Sequence, residues 1–194
     1  MKSKNDSMEN HLEIATLLEA FRDGYLARDC SKLDSFMELF IPEAEIIGTN
    51  GTVPGQDEWY TDRKTARELV KGDWEYWGDL RFDPQKTRID SQGDVGWISI
   101  SATVTKRIGE ENYQSYLEYV KGYIDRPNIT AQQKLLNILR GGTNTVFELN
   151  RGEKFVWPLR ITAVVVKRNG FWRFSQMCFS FSTIYFPDVR VFES

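Results

Sequence analysis

Six side chains are of the right types, and in the right places, to hold a small molecule: Phe21, Tyr25, Trp59, Arg160, Gln176 and Cys178. Arg160 offers a planar fork of donors that fits a carboxylate. Tyr25 and Gln176 supply hydrogen bonds that orient a ligand, while Phe21 and Trp59 supply flat apolar area. Cys178 has nucleophilic potential, but no histidine in the strands around it can hold it as a thiolate; the single histidine, His11, belongs to the start of the first helix. A lone cysteine in a strand also reads as a small buried hydrophobe. One histidine rules out a zinc site built from several and leaves only that residue for a Ser-His-Asp arrangement. Glu43, Glu45, Asp57 and Glu58 do not match metal-ligand spacing and read as solvated surface. Gly51–Gly55 lacks the Lys-Ser/Thr of a phosphate loop. No metal and no cofactor follow from these residues.

The chain of 194 residues, 41% hydrophobic and 13% aromatic, is long enough to bury a core as one domain, read here as 9–190 with tails at 1–8 and 191–194. A net charge of -3 with no Lys/Arg stripe makes no case for nucleic acid or an anionic membrane surface. No window approaches the ~18 apolar residues of a membrane span. Met1–Ser7 has no apolar core of a secretory signal, and two cysteines, Cys30 and Cys178, do not make a disulfide framework; a cytoplasmic setting is the expectation.

The elements that position these residues centre on one long hairpin. Phe155–Lys167 and Phe171–Phe186 are rich in β-branched and aromatic residues and meet at Asn169-Gly170, a strong turn signal. Ahead of it, Ile14, Leu17, Leu18, Phe21 and Tyr25 fall at helical spacing, and Leu33, Phe36, Met37 and Phe40 line a short second helix that Pro42 ends. Ala44–Ile47 is a brief strand. Ala66, Leu69, Val70, Asp73, Trp74 and Trp77 give a third helix from near Asp62 to Gly78. Leu80–Ile89 reads as an edge strand limited by Pro84, and Val95–Thr105 alternates with Ile98, Ile100, Ala102 and Val104 on one face. Within an insert at 107–154, Tyr113–Ile124 and a second segment capped at Asn128 or Thr130 form a helical hairpin, either a structural cover or a lid, ending before Gly141-Gly142. The fold class is α+β: a curved antiparallel sheet wrapped around three helices as a cone, with the helical hairpin inserted. The hollow of the cone is the default site.

Leu33–Ile47, with its apolar helix ending in Phe and then Pro-Glu-Ala, and the segments Trp157–Val166, Gly170–Phe181 and Phe186–Arg190 resemble the SnoaL-like branch of the nuclear transport factor 2-like superfamily. The resemblance runs from about Glu9 to Arg190. It implies the cone, and it implies acid and base groups inside it where the member is an enzyme. Ketosteroid isomerase, of similar fold, combines an Asp base with a Tyr and a protonated Asp. The matching positions here are Phe21 for the Tyr and about Gly48-Thr49 for the base, neither of which can do that work. Cys178 stands where the subgroup carries His.

These residues leave three functions open. The first is binding of a small apolar or anionic molecule in the cone, with Phe21, Tyr25, Trp59, Arg160, Gln176 and Cys178 as lining. The second is a cofactor-independent enzyme, using Tyr25, Cys178 or a carboxylate from Asp57-Glu58. The third is a structural or interaction domain with a filled cone. Alternation leaves open whether Gln176 and Cys178 or Met177 and Phe179 face the helices, and whether Arg160 is solvated, at an interface or in the cone. Trp157, Trp172, Phe174 and Phe181 exceed what one face accepts at strict period two, which predicts a homodimer through the outer sheet face.

Overall fold

The computed structural model describes residues 4–107, 109–150 and 154–181. In chain order the elements are α1 (Lys4–Ala27), α2 (Leu33–Met37), β1 (Phe40–Ile47), β2 (Trp59–Tyr60), α3 (Arg63–Tyr76), β3 (Asp79–Phe82), β4 (Arg88–Gln92), β5 (Val95–Arg107), α4 (Glu110–Ile124), α5 (Ala131–Asn150), β6 (Lys154–Arg168) and β7 (Phe171–Phe181). Seven strands form one curved sheet in the order β2-β1-β7-β6-β5-β3, with β4 on β5. The β2–β1, β4–β5 and β6–β7 pairs are antiparallel, and β1 runs parallel to β7. The fold is the expected α+β arrangement of helices against a curved sheet. The described residues divide into two compact units, one of 4–104 and 157–181, the other of 105–107, 109–150 and 154–156, close to the inserted stretch.

In the first unit the helical spacing of α1 delivers Ile14, Leu17, Leu18, Phe21 and Tyr25 to the core, all buried. Asp62 caps α3 by accepting from Thr65 N, and Asp29 caps the one-turn 3-10 helix Cys30–Lys32 that leads into α2. Phe21 is fully buried at the centre of a ring cluster, with Tyr25, Phe36, Phe40, Phe82 and Phe174 at centroid distances of 4.9–6.4 Å. Lys167 reaches from the hairpin to Glu13 of α1 at 2.5 Å, and Trp172 Nε1 donates to the same carboxylate. This pairing pulls Glu13 below the usual carboxylate range.

The long hairpin turns at Asn169 and Gly170, both at positive φ as its Asn-Gly turn requires. Its aromatics correct one expectation. The register slips between Val164 and Val165, which face Gln176 and Phe174, so Ser175 is an extra residue, a β-bulge. The bulge resets the alternation, and Trp172 and Phe174 before it share the buried face with Met177 and Phe179 after it. Trp157 packs on that side too, 6.1 Å from Phe181. One face therefore takes all four of these rings, so they do not by themselves demand a partner.

Other boundaries moved for local reasons. Helix α1 begins at Lys4, inside the stretch expected as a tail, while 1–3 and 182–194 lie outside the described residues. Strand β1 starts at Phe40 rather than Ala44; Pro42, which offers no ladder donor, sits where the β1–β7 register is irregular. The single strand expected over Leu80–Ile89 is two, because Asp83 accepts from Gln85 N and Pro84 opens a 3-10 turn between β3 and β4.

In the second unit α4 and α5 pack as a helical pair, and Thr130 with Gln133 forms a reciprocal cap. Helix α5 runs through Gly141-Gly142 instead of ending there. A Cβ on Gly141 would come within 2.7 Å of the Tyr116 ring, so that glycine serves close helix contact.

Packing around the ring cluster is close enough to test. A Cβ at Gly24 of α1 would lie 2.3 Å from Phe36 Cδ2, inside a group of rings with little room to yield. Gly24→Ala is expected to lose about 1–3 kcal/mol in urea unfolding despite the better helix propensity of Ala.

Candidate functional site

Helix α3 presents two stripes at four-residue spacing. Ala66, Val70 and Trp74 are buried, and Leu69, Asp73 and Trp77 are partly open. A carboxyl thus stands between two apolar side chains on a face that packs against the core. Trp77 meets Phe179 and Phe181 of β7 at 6.2 and 6.3 Å, which extends the apolar floor.

Tyr25 of α1 donates to Asp73 Oδ2 at 2.8 Å. Among the described residues no donor reaches the other carboxyl oxygen. Burial is the largest influence on Asp73 and pushes it up to about 7; the nearby charge of Glu58 adds to this, and the Tyr25 hydrogen bond and Arg28 oppose it. Burial, then the Asp73 charge, drive the Tyr25 phenol well above its ordinary value, so it stays a neutral donor. Tyr60 of β2 is raised by burial and by the charges of Glu58 and Asp73.

Arg28, just past α1 and at φ 49°, fixes this arrangement. Its guanidinium donates to the carbonyls of Asp73 (2.6 Å), Trp74 (2.8 Å) and Trp77 (2.8 Å), and pairs with Asp79 at 3.1 Å. It thereby gives partners to carbonyls at the end of α3, where Asp73 O also accepts from Trp77 N. Glu58 is held as firmly: Asn50 donates from N (2.9 Å) and Nδ2 (3.0 Å), and Thr49 Oγ1 lies at 3.5 Å.

Residues 14–120 match the SnoaL-like domain. The chain belongs to the SnoaL-like domain family. Its fold is that of the nuclear transport factor 2-like superfamily, also called cystatin-like. An NTF2-like protein of unknown function from Pseudomonas putida KT2440 aligns with TM-score 0.54 at 11% identity, over 90% of this chain and 87% of that one. A protein of unknown function from Mycobacterium tuberculosis gives 0.58 at 12%, over 94% and 77%. An NTF2-like protein with a cystatin-like fold from Novosphingobium aromaticivorans gives 0.56 at 10%, over 91% and 84%. At such identities the likeness is one of fold. No curated protein matches the chain.

The six residues read from sequence do not converge in this SnoaL-like domain. Phe21 and Tyr25 are on the helix side, Phe21 wholly inside the ring cluster. Gln176 and Cys178 alternate with buried Met177 and Phe179, and Arg160 with buried Leu159 and Ile161, so all three take the opposite face. There Gln176 donates to Glu45 at 2.8 Å, and cross-strand register places Trp59, Ile47, Cys178 and Thr162 in one row. The Trp59 indole N–H is buried with no acceptor among the described residues. Burial pushes the Cys178 thiol up, against the partial offset of Arg160, so it is held as the weakly nucleophilic thiol.

The place at Gly48 is not vacant of a carboxylate either. A Cβ there would meet Glu58 Oε2 at 2.4 Å, so Glu58 fills the space that the missing side chain leaves. Asp73 and Arg28 received no role from the sequence; the signal for Asp73 was a carboxylate four residues from both Leu69 and Trp77. Among the described residues no group of three His, Cys, Asp or Glu could hold a metal, and no helix is long and apolar enough to cross a membrane.

The raised Asp73 carries a stability signature. Its folded-state value, about 7, lies above the unfolded ~3.9, so the folded chain binds the extra proton and this contribution is complete below about pH 4. It is lost as pH rises through about 7. Asp73→Asn, which cannot ionise, is expected to gain on the parent chain across that window, by on the order of 4 kcal/mol at pH 8, in denaturant titrations at several pH values. Equal pH slopes for the two proteins would refute the burial reading.

Proposed function

We propose that this SnoaL-like domain holds a small, largely apolar, uncharged molecule with its carbonyl or hydroxyl oxygen against Asp73, and that proton exchange with that oxygen is the chemistry of the site. One observation carries the reading: a carboxyl on an apolar stripe, bonded to Tyr25 through one oxygen only, that titrates near neutral pH. Near pH 7 such a group is both acid and base. Tyr25 acts through Asp73 by fixing its orientation, and Leu69, Trp77 and Phe179 supply apolar area. The anionic ligand is less well supported on this side, where Glu58 and Asp73 bring negative charge and Arg28 is engaged by carbonyls. Arg160, its proposed anchor, has the other face.

The same outer face supports assembly as a homodimer. Val95 and Trp97 of β5 are nearly half exposed, at 45% and 46%, and Arg160 of β6 is exposed too. Sedimentation at low micromolar concentration is expected to show a dimer, which Trp97→Glu weakens; a monomer throughout would refute it.

The ligand reading is tested by thermal shift with neutral aromatic ketones and phenols beside the matching carboxylates. Neutral compounds are expected to stabilise the chain, with a shift that falls as pH rises from about 6 to 8 because the donor form of Asp73 is lost. In Asp73→Asn the ligand-induced shift should be flat with pH, and in Arg160→Ala unchanged from the parent. A preference for carboxylates that Arg160→Ala abolishes would move the site to the outer face.

A further inference from the structure

The chain carries two Asn-Gly pairs, Asn50-Gly51 and Asn169-Gly170, and the fold treats them oppositely. In such a pair the glycine backbone nitrogen can approach the asparagine side-chain carbonyl, because no Cβ on the glycine stands in the way. At Asn50 the reacting groups and the backbone beside them are held. Its Nδ2 donates to Glu58 Oε1 at 3.0 Å, its own N to Glu58 Oε2 at 2.9 Å, and Gly51 N to Gly48 O at 3.1 Å. A Cβ on Gly51 would lie 2.9 Å from the Glu58 carbonyl oxygen, so the main chain there has no room to turn. Asn169 and Gly170 form the tip of the β6–β7 hairpin, both exposed, at φ 53° and 80°. Among the described residues nothing bonds the Asn169 amide or Gly170 N, and a Cβ on Gly170 would meet no atom within 4 Å.

We propose that Asn169 is a site of spontaneous deamidation, an age-dependent modification of the hairpin tip from which the fold protects Asn50. Gly170 N gives up its proton to base and attacks Asn169 Cγ. The new C–N bond closes a succinimide ring as Nδ2 leaves in ammonia. Water then cleaves either ring C–N bond, so the net change is ammonia lost and water gained, with nothing oxidised or reduced. Breaking the bond at Cγ leaves an ordinary aspartyl residue. Breaking the main-chain bond leaves an isoaspartyl residue, whose backbone runs through the former side chain and is one methylene longer. The aspartyl product keeps the turn, since Asp also tolerates left-handed backbone. The isoaspartyl product does not, because the tight turn fixes its closing pairs, Arg168 with Phe171 and Lys167 with Trp172. Lys167 and Trp172 both bond Glu13 of α1, so the longer tip loosens the tie between hairpin and helix.

The test is peptide mapping by mass spectrometry of the full chain, held folded in warm, mildly alkaline buffer and sampled over days. Conversion at Asn169 is expected to outpace that at Asn50 by about tenfold or more, because bonds to a charged carboxylate must break before Asn50 reacts. In urea the two pairs should react at similar rates, and Glu58→Ala should speed Asn50 while leaving Asn169 unchanged. Equal conversion at both pairs in the folded chain overturns the proposal, as does an Asn169 that stays intact while the urea-unfolded chain converts. A ratio in urea equal to that in the folded chain assigns the difference to sequence alone and overturns it too. Asn169→Gly keeps a residue suited to positive φ but has no amide to lose, so it tests the consequence. Ageing is expected to lower the melting temperature of the isoaspartyl fraction of the parent and to leave Asn169→Gly unchanged. An isoaspartyl fraction that melts as the fresh chain does overturns the loosened tie.

Discussion

The contact on which the site depends is that of Arg28 with the end of α3. Helix α1 stops at Ala27, and Arg28 adopts a left-handed conformation that lets its side chain fold back to the neighbouring helix. Three carbonyls at the end of α3, those of Asp73, Trp74 and Trp77, accept from one guanidinium, the first of them shared with Trp77 N. An unpaired buried carbonyl costs about 1–3 kcal/mol, so joining the two helix ends here is strongly favoured over leaving them apart. Once they are joined, Tyr25, three residues before Arg28, is carried to within a hydrogen bond of Asp73. A lysine could neutralise the helix end but not satisfy three acceptors in this geometry.

That join places opposing demands on Asp73. Packing against Leu69 and Trp77 removes water and favours the neutral acid, and Glu58 pushes the same way; Tyr25 and Arg28 favour the carboxylate. Burial is the largest of the four, and the two favourable partners reduce its effect without cancelling it. An aspartate fully paired with Arg28 would be a fixed anion with no proton to exchange near neutral pH. An aspartate without Tyr25 and Arg28 would stay neutral further up the pH scale and serve only as a donor. The intermediate state exists because Arg28 gives its donors to carbonyls and offers the carboxyl only its field.

Much of the fold was legible in the sequence because it follows from short-range rules. The stripe Ile14–Leu17–Leu18–Phe21–Tyr25, the Asp62 cap and the Asn169-Gly170 turn are each set within a few residues, and each stands where periodicity and turn chemistry put it. The bulge at Ser175 is different. Nothing in Phe171–Phe181 marks an extra residue, and its position is decided by what β6 and β1 offer across the sheet. Strict alternation then assigned too many rings to too little surface. The candidate site was half legible for a related reason. Tyr25 could be named from its helix, but its partner is 48 residues away and was counted only as one position of the α3 stripe. Arg160, Gln176 and Cys178 were grouped with Tyr25 although a strand sends neighbours to opposite faces, and only the burial of Met177, Phe179, Leu159 and Ile161 settles which way each turns.

Glu58 shows how a shared scaffold can supply the same kind of group from a different place in the chain. At Gly48, the end of β1, no side chain exists to carry an acid or base. The absence is what admits Glu58, ten residues on, and Gly48 N donates to the Glu58 carbonyl at 2.8 Å so that the loop closes on itself. Asn50 completes the closure by gripping the carboxylate from its backbone and its side chain. Phe21 and Gly48 themselves carry no polar side chain. In space, Tyr25, one helical turn beyond Phe21, bonds the raised carboxyl of Asp73 on α3, and Glu58 comes from the loop that leads into β2. A tyrosine and a carboxyl meet on the helix side of the sheet because the fold joins the ends of α1 and α3, whichever residues carry the chemistry.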